Sequence, residues 1–376
     1  MATTESGIQP ERNFFRTIGE DAQHLWNELH RHGLKRSIGR SFLELQDFYL
    51  DDQARQRLLG MRRVRRAFYL AAWLLKSLFF KLTPTRRVLF VLSVILMWSA
   101  TNYQSHGRTT QISIHFPFLG IVTLLLILML ELKDKLLARD ELEAGRSVQK
   151  ALMPNSNPTI QGWDVWLFTR SANDVGGDLV DYIPVDGQRV GIVLGDVAGK
   201  GLPAALLMAK LQSTLRALAV DEISLEKLGE RTNRILCRDG LPNRFATMVY
   251  VDVAAGSGSV RLLNCGHLPP LVLRGTRLEE LPLGSMALGM LPEATFSEQA
   301  VELSQGDVLV VFSDGLTEAM NGHDEFFGDD RLRARLPSLA HMAAQGIGTQ
   351  VVAAVDEFVG DAAPHDDLSL IVLRRA

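Results

Sequence analysis

From about Asn155 to the C-terminus the chain alternates short β-branched runs with glycine, proline and aspartate turns, and this limits its fold more than any other feature. The runs read RVGIVLGD, FATMVYVDVAA, SVRLLNCG, PPLVLRG, DVLVVFSDG and LSLIVLRRA. Each has the length of a strand, and the hairpin-like turn AAGSGS between two of them favours antiparallel pairing over crossover connections. Helical patterns interrupt the runs, roughly from Pro203 to Ala219, Ser224 to Arg238 and Gly346 to Val359. The expected product is a layered α+β domain over residues 155–376, with sheets in the middle and helices outside.

The preceding residues have another texture. Val88 to Ser99 reads VLFVLSVILMWS, and Ile112 to Leu130 reads ISIHFPFLGIVTLLLILML. The second run has the roughly 17–25 residues that a bilayer helix needs. The first reaches that length if it extends to about Tyr103, with Arg86 and Arg87 snorkelling at its near end. Pro117 is tolerable, because membrane helices accept proline. A pair of buried core helices is the alternative.

The stretch Phe68 to Phe80 carries Lys76 at its middle. A lysine at the bilayer centre costs about 2.5–3.5 kcal/mol, so this segment is expected to lie at an interface. Arg62, Arg63, Arg65, Arg66 and Lys81 flank it and suit anionic lipid headgroups. Basic residues recur at Lys133, Lys135 and Arg139, whereas Gln104 to Gln111 holds one arginine. The positive-inside rule then predicts both ends in the cytoplasm, anchored in the cytoplasmic membrane.

The expected organisation is a cytosolic helical segment at 1–66, an interfacial helix plus two membrane helices at 67–130, a helical linker at 131–154, and the α+β domain at 155–376. The linker has strong helix formers and stops at Pro154. Leu132, Leu136, Leu137, Leu142 and Leu152 give it one apolar side. It reads either as a signalling helix that pairs with its copy in a homodimer or as a solvated spacer.

A formal net charge of −3 gives no basis for nucleic acid as a partner. Cys237 and Cys265 are the only cysteines, so neither a disulfide framework nor a thiolate metal site is expected. The absence of HExxH and CxxC removes the usual zinc ligand sets.

Aspartates stand where the strand-like runs meet their turns. Asp178 lies in SANDVGGDLVDY, Asp196 in VGIVLGDVAGKG, Asp314 in VLVVFSDGLTEA, and Asp366 in PHDDLSLIVL with Asp367 beside it. A strand ending in a carboxylate delivers an oxygen to the rim of a sheet, and oxygen ligands suit hard cations such as Mg²⁺ or Mn²⁺. If these acids converge, each close pair repels by about 4 kcal/mol at about 4 Å and an effective dielectric near 20. A domain stable by only about 5–15 kcal/mol would then need cations. Taken singly, each aspartate is equally an ordinary turn residue.

Together these segments resemble the metal-dependent protein phosphatases of the PPM (protein phosphatase 2C-like) family, in its bacterial SpoIIE/RsbU-like branch. The resemblance runs in order through SVQKALMP, VGGDLVDY, GDVAGKGLPAALLMA, RFATMVYVDV, LNCGHLPPLVL, SDGLTEAMN, EFFGDDRL and HDDLSLIVL. It implies an α-β-β-α sandwich of two antiparallel sheets flanked by helices, here preceded by a membrane helical hairpin and the linker. It also implies two divalent cations, Mn²⁺ or Mg²⁺, held by Asp178, Asp196, the Val197 carbonyl, Asp314 and Asp366. Asp196 would be shared between the ions, with Asp178 and Asp196 as the catalytic pair.

Gly176 and Gly177 would let the chain turn tightly beside the ions, with Asp181 supporting or facing solvent. The implied reaction is hydrolysis of phosphoserine or phosphothreonine on a regulatory protein. The implied partner is a phosphorylated STAS-domain anti-anti-sigma protein, and with the expected membrane helices this predicts a place at a bacterial inner membrane. The alternative is a phosphatase-like scaffold that binds partners without turnover.

Ala198 occupies the position where many eukaryotic relatives carry a proton-donating histidine. His267 in LNCGHLPP is then either a substitute donor or a loop-packing residue, and Lys200 either attracts phosphate or is solvated. Two other likenesses fail. GDVAGKG departs from the Walker phosphate loop in glycine spacing, with Lys200 followed by Gly201. VGGD also resembles the glycine-rich hairpin of diguanylate cyclases, but Leu179-Val180 follows where those enzymes have Glu-Phe.

Overall fold

The computed structural model describes residues 79–99, 116–154, 156–240 and 244–376, together with Arg65, Tyr69 and Lys76. The expectations for the segment 1–66 beyond Arg65, for most of Phe68 to Phe80, and for the loop Gln104 to Gln111 lie outside the described residues. The chain divides into two compact units, Met1–Asp134 and Lys135–Ala376.

In the first unit, helix α1 (Pro84–Ser99) meets the start of helix α2 (Phe116–Leu152). A Cβ on Gly120 would lie 2.7 Å from Met97 Cγ and 2.9 Å from the Ser93 carbonyl, so the missing side chain lets the helices approach. Arg86 donates at 2.6 Å to both Glu131 and Asp134.

The length of the apolar helices corrects the membrane hairpin. Among the described residues no helix is long and apolar enough to cross a membrane. The described apolar part of α2 ends at Leu130, a rise of roughly 22 Å against a hydrocarbon core of roughly 30 Å. Arg86 is engaged in ion pairs rather than reaching for headgroups. The expectation of anchoring in the bacterial inner membrane, with lipids as partners, is overturned with the hairpin.

The second unit holds two five-stranded antiparallel sheets. One has the order β1 (Trp163–Arg170), β10 (Leu368–Arg375), β9 (Val308–Phe312), β6 (Leu271–Arg274), β7 (Arg277–Glu280). The other runs β2 (Leu179–Pro184), β3 (Arg189–Val197), β4 (Ala246–Ala254), β5 (Ser259–Cys265), β8 (Glu298–Glu302). Ile192, Leu194, Val249, Val251, Leu309, Val311, Ile371 and Leu373 fill the layer between the sheets. Val193, Met248 and Tyr250 face the other way, onto helices α3 (Leu202–Leu218) and α4 (Leu225–Asp239). Val308, Val310, Leu370 and Val372 likewise face the one-turn helix α5 (Asp314–Thr317), α6 (Gly328–Leu339) and α7 (Ala344–Val359). A strand covered on both faces is apolar along nearly its whole length, which is why VLVVF and, apart from Ser369, LSLIVL do not alternate with polar residues.

Local chemistry sets the helix ends. Gly201 takes a left-handed φ of 76° just before α3, and a proline follows in the first turn. The Ser224 hydroxyl accepts from Lys227 N to cap α4.

Asp181 is fully buried rather than facing solvent. Its carboxylate accepts from Arg216 Nε at 2.7 Å, Arg216 Nη2 at 2.8 Å and Gln212 Nε2 at 2.8 Å, tying β2 to α3. Arg216→Ala removes two charged donors and the countercharge of that buried carboxylate, leaving it only Gln212 Nε2 and Tyr182 N, an expected loss of about 2 kcal/mol. The measurement is the urea midpoint, which should fall at unchanged m value and recover partly in Arg216→Lys.

Candidate functional site

Four chain segments bring acids to one end of the sandwich. Leu179 pairs with Gly195 across β2 and β3, so Asp178 and Asp196 lie one step further along the same register. In the other sheet, Leu370 pairs with Phe312 across β10 and β9. Asp314 therefore leaves β9 at the end where Asp366 and Asp367 enter β10.

These charges feel one another. Burial first, and then repulsion from Asp196, holds the Asp178 carboxyl well above the usual range. Burial, followed by repulsion from Asp314, Asp366 and Asp367, pushes Asp196 up to about 6. Burial, Asp366 and Glu318 raise Asp314 as well. Asp178 is 3% exposed, and its Oδ2 has no hydrogen-bond partner. Among the described residues, however, no three His, Cys, Asp or Glu side chains are gathered tightly enough to form a ready-made metal cage.

The two glycines of VGGD serve close approach rather than an unusual φ. A Cβ on Gly176 would lie 2.5 Å from Asp367 Oδ2 and 2.6 Å from Ser171 Oγ. One on Gly177 would lie 3.2 Å from the Val197 carbonyl oxygen and 3.6 Å from Asp196 Oδ1. Val197 thus presents its carbonyl to the turn that carries Asp178.

Asp367 does more than its place beside Asp366 suggested. Its Oδ2 accepts from Gly177 N at 2.6 Å, and its Oδ1 accepts from Ala172 N at 2.8 Å. It pins the SANDVGGD turn of one sheet to the first residue before β10 in the other.

Lys200 is not simply solvated: its Nζ lies 3.0 Å from Asp366 Oδ2 and donates to the His365 carbonyl at 2.8 Å. Arg244 donates to the Ala198 carbonyl at 2.7 Å and covers Gly199, whose φ is 108°. Nothing in the spacing of the sequence singled out Arg244 or Asp367's bridging contacts, because both act on backbone groups of distant loops.

His267 is a packing residue. Its Nε2 lies 3.1 Å from the Phe312 carbonyl, which only accepts, so Nε2 carries the proton. Its Nδ1, 2.8 Å from Thr247 Oγ1, then accepts from that hydroxyl. Burial pushes its pKa down to about 4. It is a neutral brace between the two sheets.

The model of the SpoIIE family, Stage II sporulation protein E, matches residues 186–376, a little over half of the chain. The chain belongs to the SpoIIE family. Protein IcfG of Synechocystis sp. is 27% identical over 277 residues, which is 65% of this chain and 43% of that protein. The phosphoserine phosphatase RsbU of Bacillus subtilis is 25% identical over 239 residues, 63% of this chain and 70% of RsbU. This SpoIIE-family chain thus spans less than half of IcfG.

Among solved structures, the SiaA-PP2C domain of Pseudomonas aeruginosa superposes with a TM-score of 0.55 at 19% identity, over 64% of this chain and 98% of that one. The RsbU and RsbW domains of a Mycobacterium tuberculosis protein superpose with a TM-score of 0.52 at 24% identity, over 60% of this chain and 63% of that one. The SpoIIE-family domain therefore has the PP2C fold, and its two antiparallel sheets flanked by helices agree with the sequence expectation.

Proposed function

We propose that the chain is a metal-dependent protein phosphatase that hydrolyses phosphoserine or phosphothreonine on a phosphorylated anti-anti-sigma protein of the STAS type. The observation that carries this reading is the buried, partnerless Oδ2 of Asp178 within a group of mutually repelling carboxylates. Such an arrangement is costly unless a cation completes it. An all-oxygen donor set fits Mn²⁺ or Mg²⁺ better than zinc. Family membership and the named activity of RsbU support the same reading.

Two divalent cations held by Asp178, Asp196, the Val197 carbonyl, Asp314 and Asp366 would orient the phosphate and activate water there. Asp196 would hold a cation from the middle of the group, since it feels both Asp178 and the acids of the other sheet. Lys200 brings a positive charge to the same rim, where a phosphate's oxygens would lie. Ala198 offers no proton, and His267 spends both ring nitrogens on Phe312 and Thr247. Protonation of the leaving serine or threonine oxygen would then come from water or from another group at the rim. Residues 131–154 we read as a linker that carries a signal into this domain.

The test is phosphate release. The full chain with Mn²⁺ should dephosphorylate at least one phosphorylated STAS protein from its own organism. Failure on all of them, with the protein folded and Mn²⁺ bound, would remove the substrate assignment.

A further inference from the structure

Beside the carboxylates lies a cavity of about 270 Å³, enclosed by α7, the segment that follows α5, and the loop at 360–367. Val355, Leu368 and Ala319 form a buried apolar floor, and Met320, Val359 and Ala362 stand half-buried around it. Gly315 and Asp366 line the same cavity, so it shares a wall with the acids. That wall is thin because Gly315 has no side chain. A Cβ there would overlap the Asp367 carbonyl oxygen and lie 3.2 Å from the Asp366 carbonyl carbon. The backbone that follows Asp314 is thus pressed against the backbone of Asp366 and Asp367, with the carboxylates on one side and the cavity on the other.

Two ion pairs occupy the charged groups at the lip. Arg170 Nη1 donates to Asp356 Oδ2 at 3.1 Å, and its Nη2 donates to Oδ1 at 2.5 Å. Asp366 Oδ2 faces Lys200 Nζ at 3.0 Å. With these charges matched to each other, selection of an occupant falls to the apolar walls. Size narrows it further. Sites for small organic ligands run to about 300–1,000 Å³, so this cavity suits one large side chain better than a free effector.

We propose that the cavity is a specificity pocket for the phosphorylated substrate, and that it takes one large apolar side chain close in sequence to the phosphoserine. An extended chain advances about 3.3–3.6 Å per residue, so a residue one or two positions from the phosphate can reach across a wall one backbone thick. The inference rests on the metal-site reading above and names a feature of the substrate that this site selects. In an apolar pocket one methylene changes kcat/KM by about 10–200-fold.

The experiment uses the full chain, Mn²⁺ and synthetic phosphoserine peptides in which one flanking position at a time is alanine or leucine. At one position leucine should raise kcat/KM at least ~10-fold over alanine. Ala362→Phe fills the cavity and should erase that preference. Met320→Ala enlarges the cavity and should move the preference from leucine to phenylalanine. A merely structural role for these residues would change turnover of all the peptides alike. A peptide series without a preferred position, or a preference that both variants leave intact, would overturn the proposal. Should one variant fail to fold, the other decides by the same ratio. Hydrolysis of p-nitrophenyl phosphate, which has no flanking residues, separates the failures. If the folded chain with Mn²⁺ bound hydrolyses neither that ester nor any peptide, the phosphatase reading falls as well. If it hydrolyses the ester while the peptides show no preference or no turnover, only the pocket falls.

Discussion

Asp196→Asn is expected to abolish Mn²⁺-dependent phosphate release and, in the same protein, to raise its resistance to urea when divalent cations are chelated. Asparagine keeps the size of the side chain and removes the charge. Loss of activity should reach at least ~10²-fold, the scale seen when one preorganised electrostatic contact to a reacting group is removed. The gain in stability follows from the same charge. Asp196 is pushed up to about 6 by burial and by three neighbouring aspartates. At pH 7 its ionised form therefore opposes folding by on the order of 3 kcal/mol. Much of that should be recovered in the variant.

A turn aspartate with no role in a site predicts the reverse pattern, unchanged turnover and slightly lower stability. Opposite signs in the two measurements are the mark of a residue kept for function against stability. Unchanged turnover would end the assignment.

The legible parts of this site were those in which one residue's chemistry shows in its own neighbourhood. Asp196 and Asp314 sit beside runs apolar on both faces, VGIVLGD and VLVVF, so the strand and its terminal carboxylate could be read together. The edge strands were not legible. RLEE and EQAVE are exposed on one side and charged, which is how sheet edges resist unwanted pairing and also why they resemble loops. Helix α6 was hidden in the same way, by two aspartates at its start and Pro337 within it.

Contacts made to backbone left no trace either. Asp367 reaches Gly177 across 190 residues of sequence and Gln149 reaches Gly176 across 27, and neither target displays a side chain. The membrane hairpin failed for a related reason. A hydropathy run records what a residue is, and the partners of Arg86, Glu131 and Asp134, lie too far along the chain to enter the reading.

With divalent cations chelated, the acids of this site are expected to take stability away as pH rises towards about 8, and bound Mn²⁺ should return it over the same range. The groups concerned pull in different directions. A carboxyl whose folded pKa lies above its unfolded value, near 3.9, keeps a proton that the unfolded chain releases. Its stabilising effect is full below about pH 4 and is lost as pH climbs through the folded pKa. Asp196, at about 6, accounts for a loss of on the order of 3 kcal/mol that is complete by about pH 7.

His267 opposes it. Its folded value of about 4 lies below the unfolded value near 6.5, so its contribution is present at high pH and lost as pH falls through that window. The two are of similar size and nearly cancel between about pH 4 and 6.5. Asp178 adds to the side of Asp196. It is raised well above the usual range by burial and by Asp196, so it also loses stability as pH rises. Asp314 adds to the loss in the same direction. Bound cations favour the ionised carboxylates and reverse the slope, adding about 2.7 kcal/mol when free Mn²⁺ is one hundred times its Kd. Asp178→Asn should make the chelated protein lose less stability as pH rises. A midpoint that Mn²⁺ leaves unmoved at pH 7.5 would mean that these acids do not form a cation site.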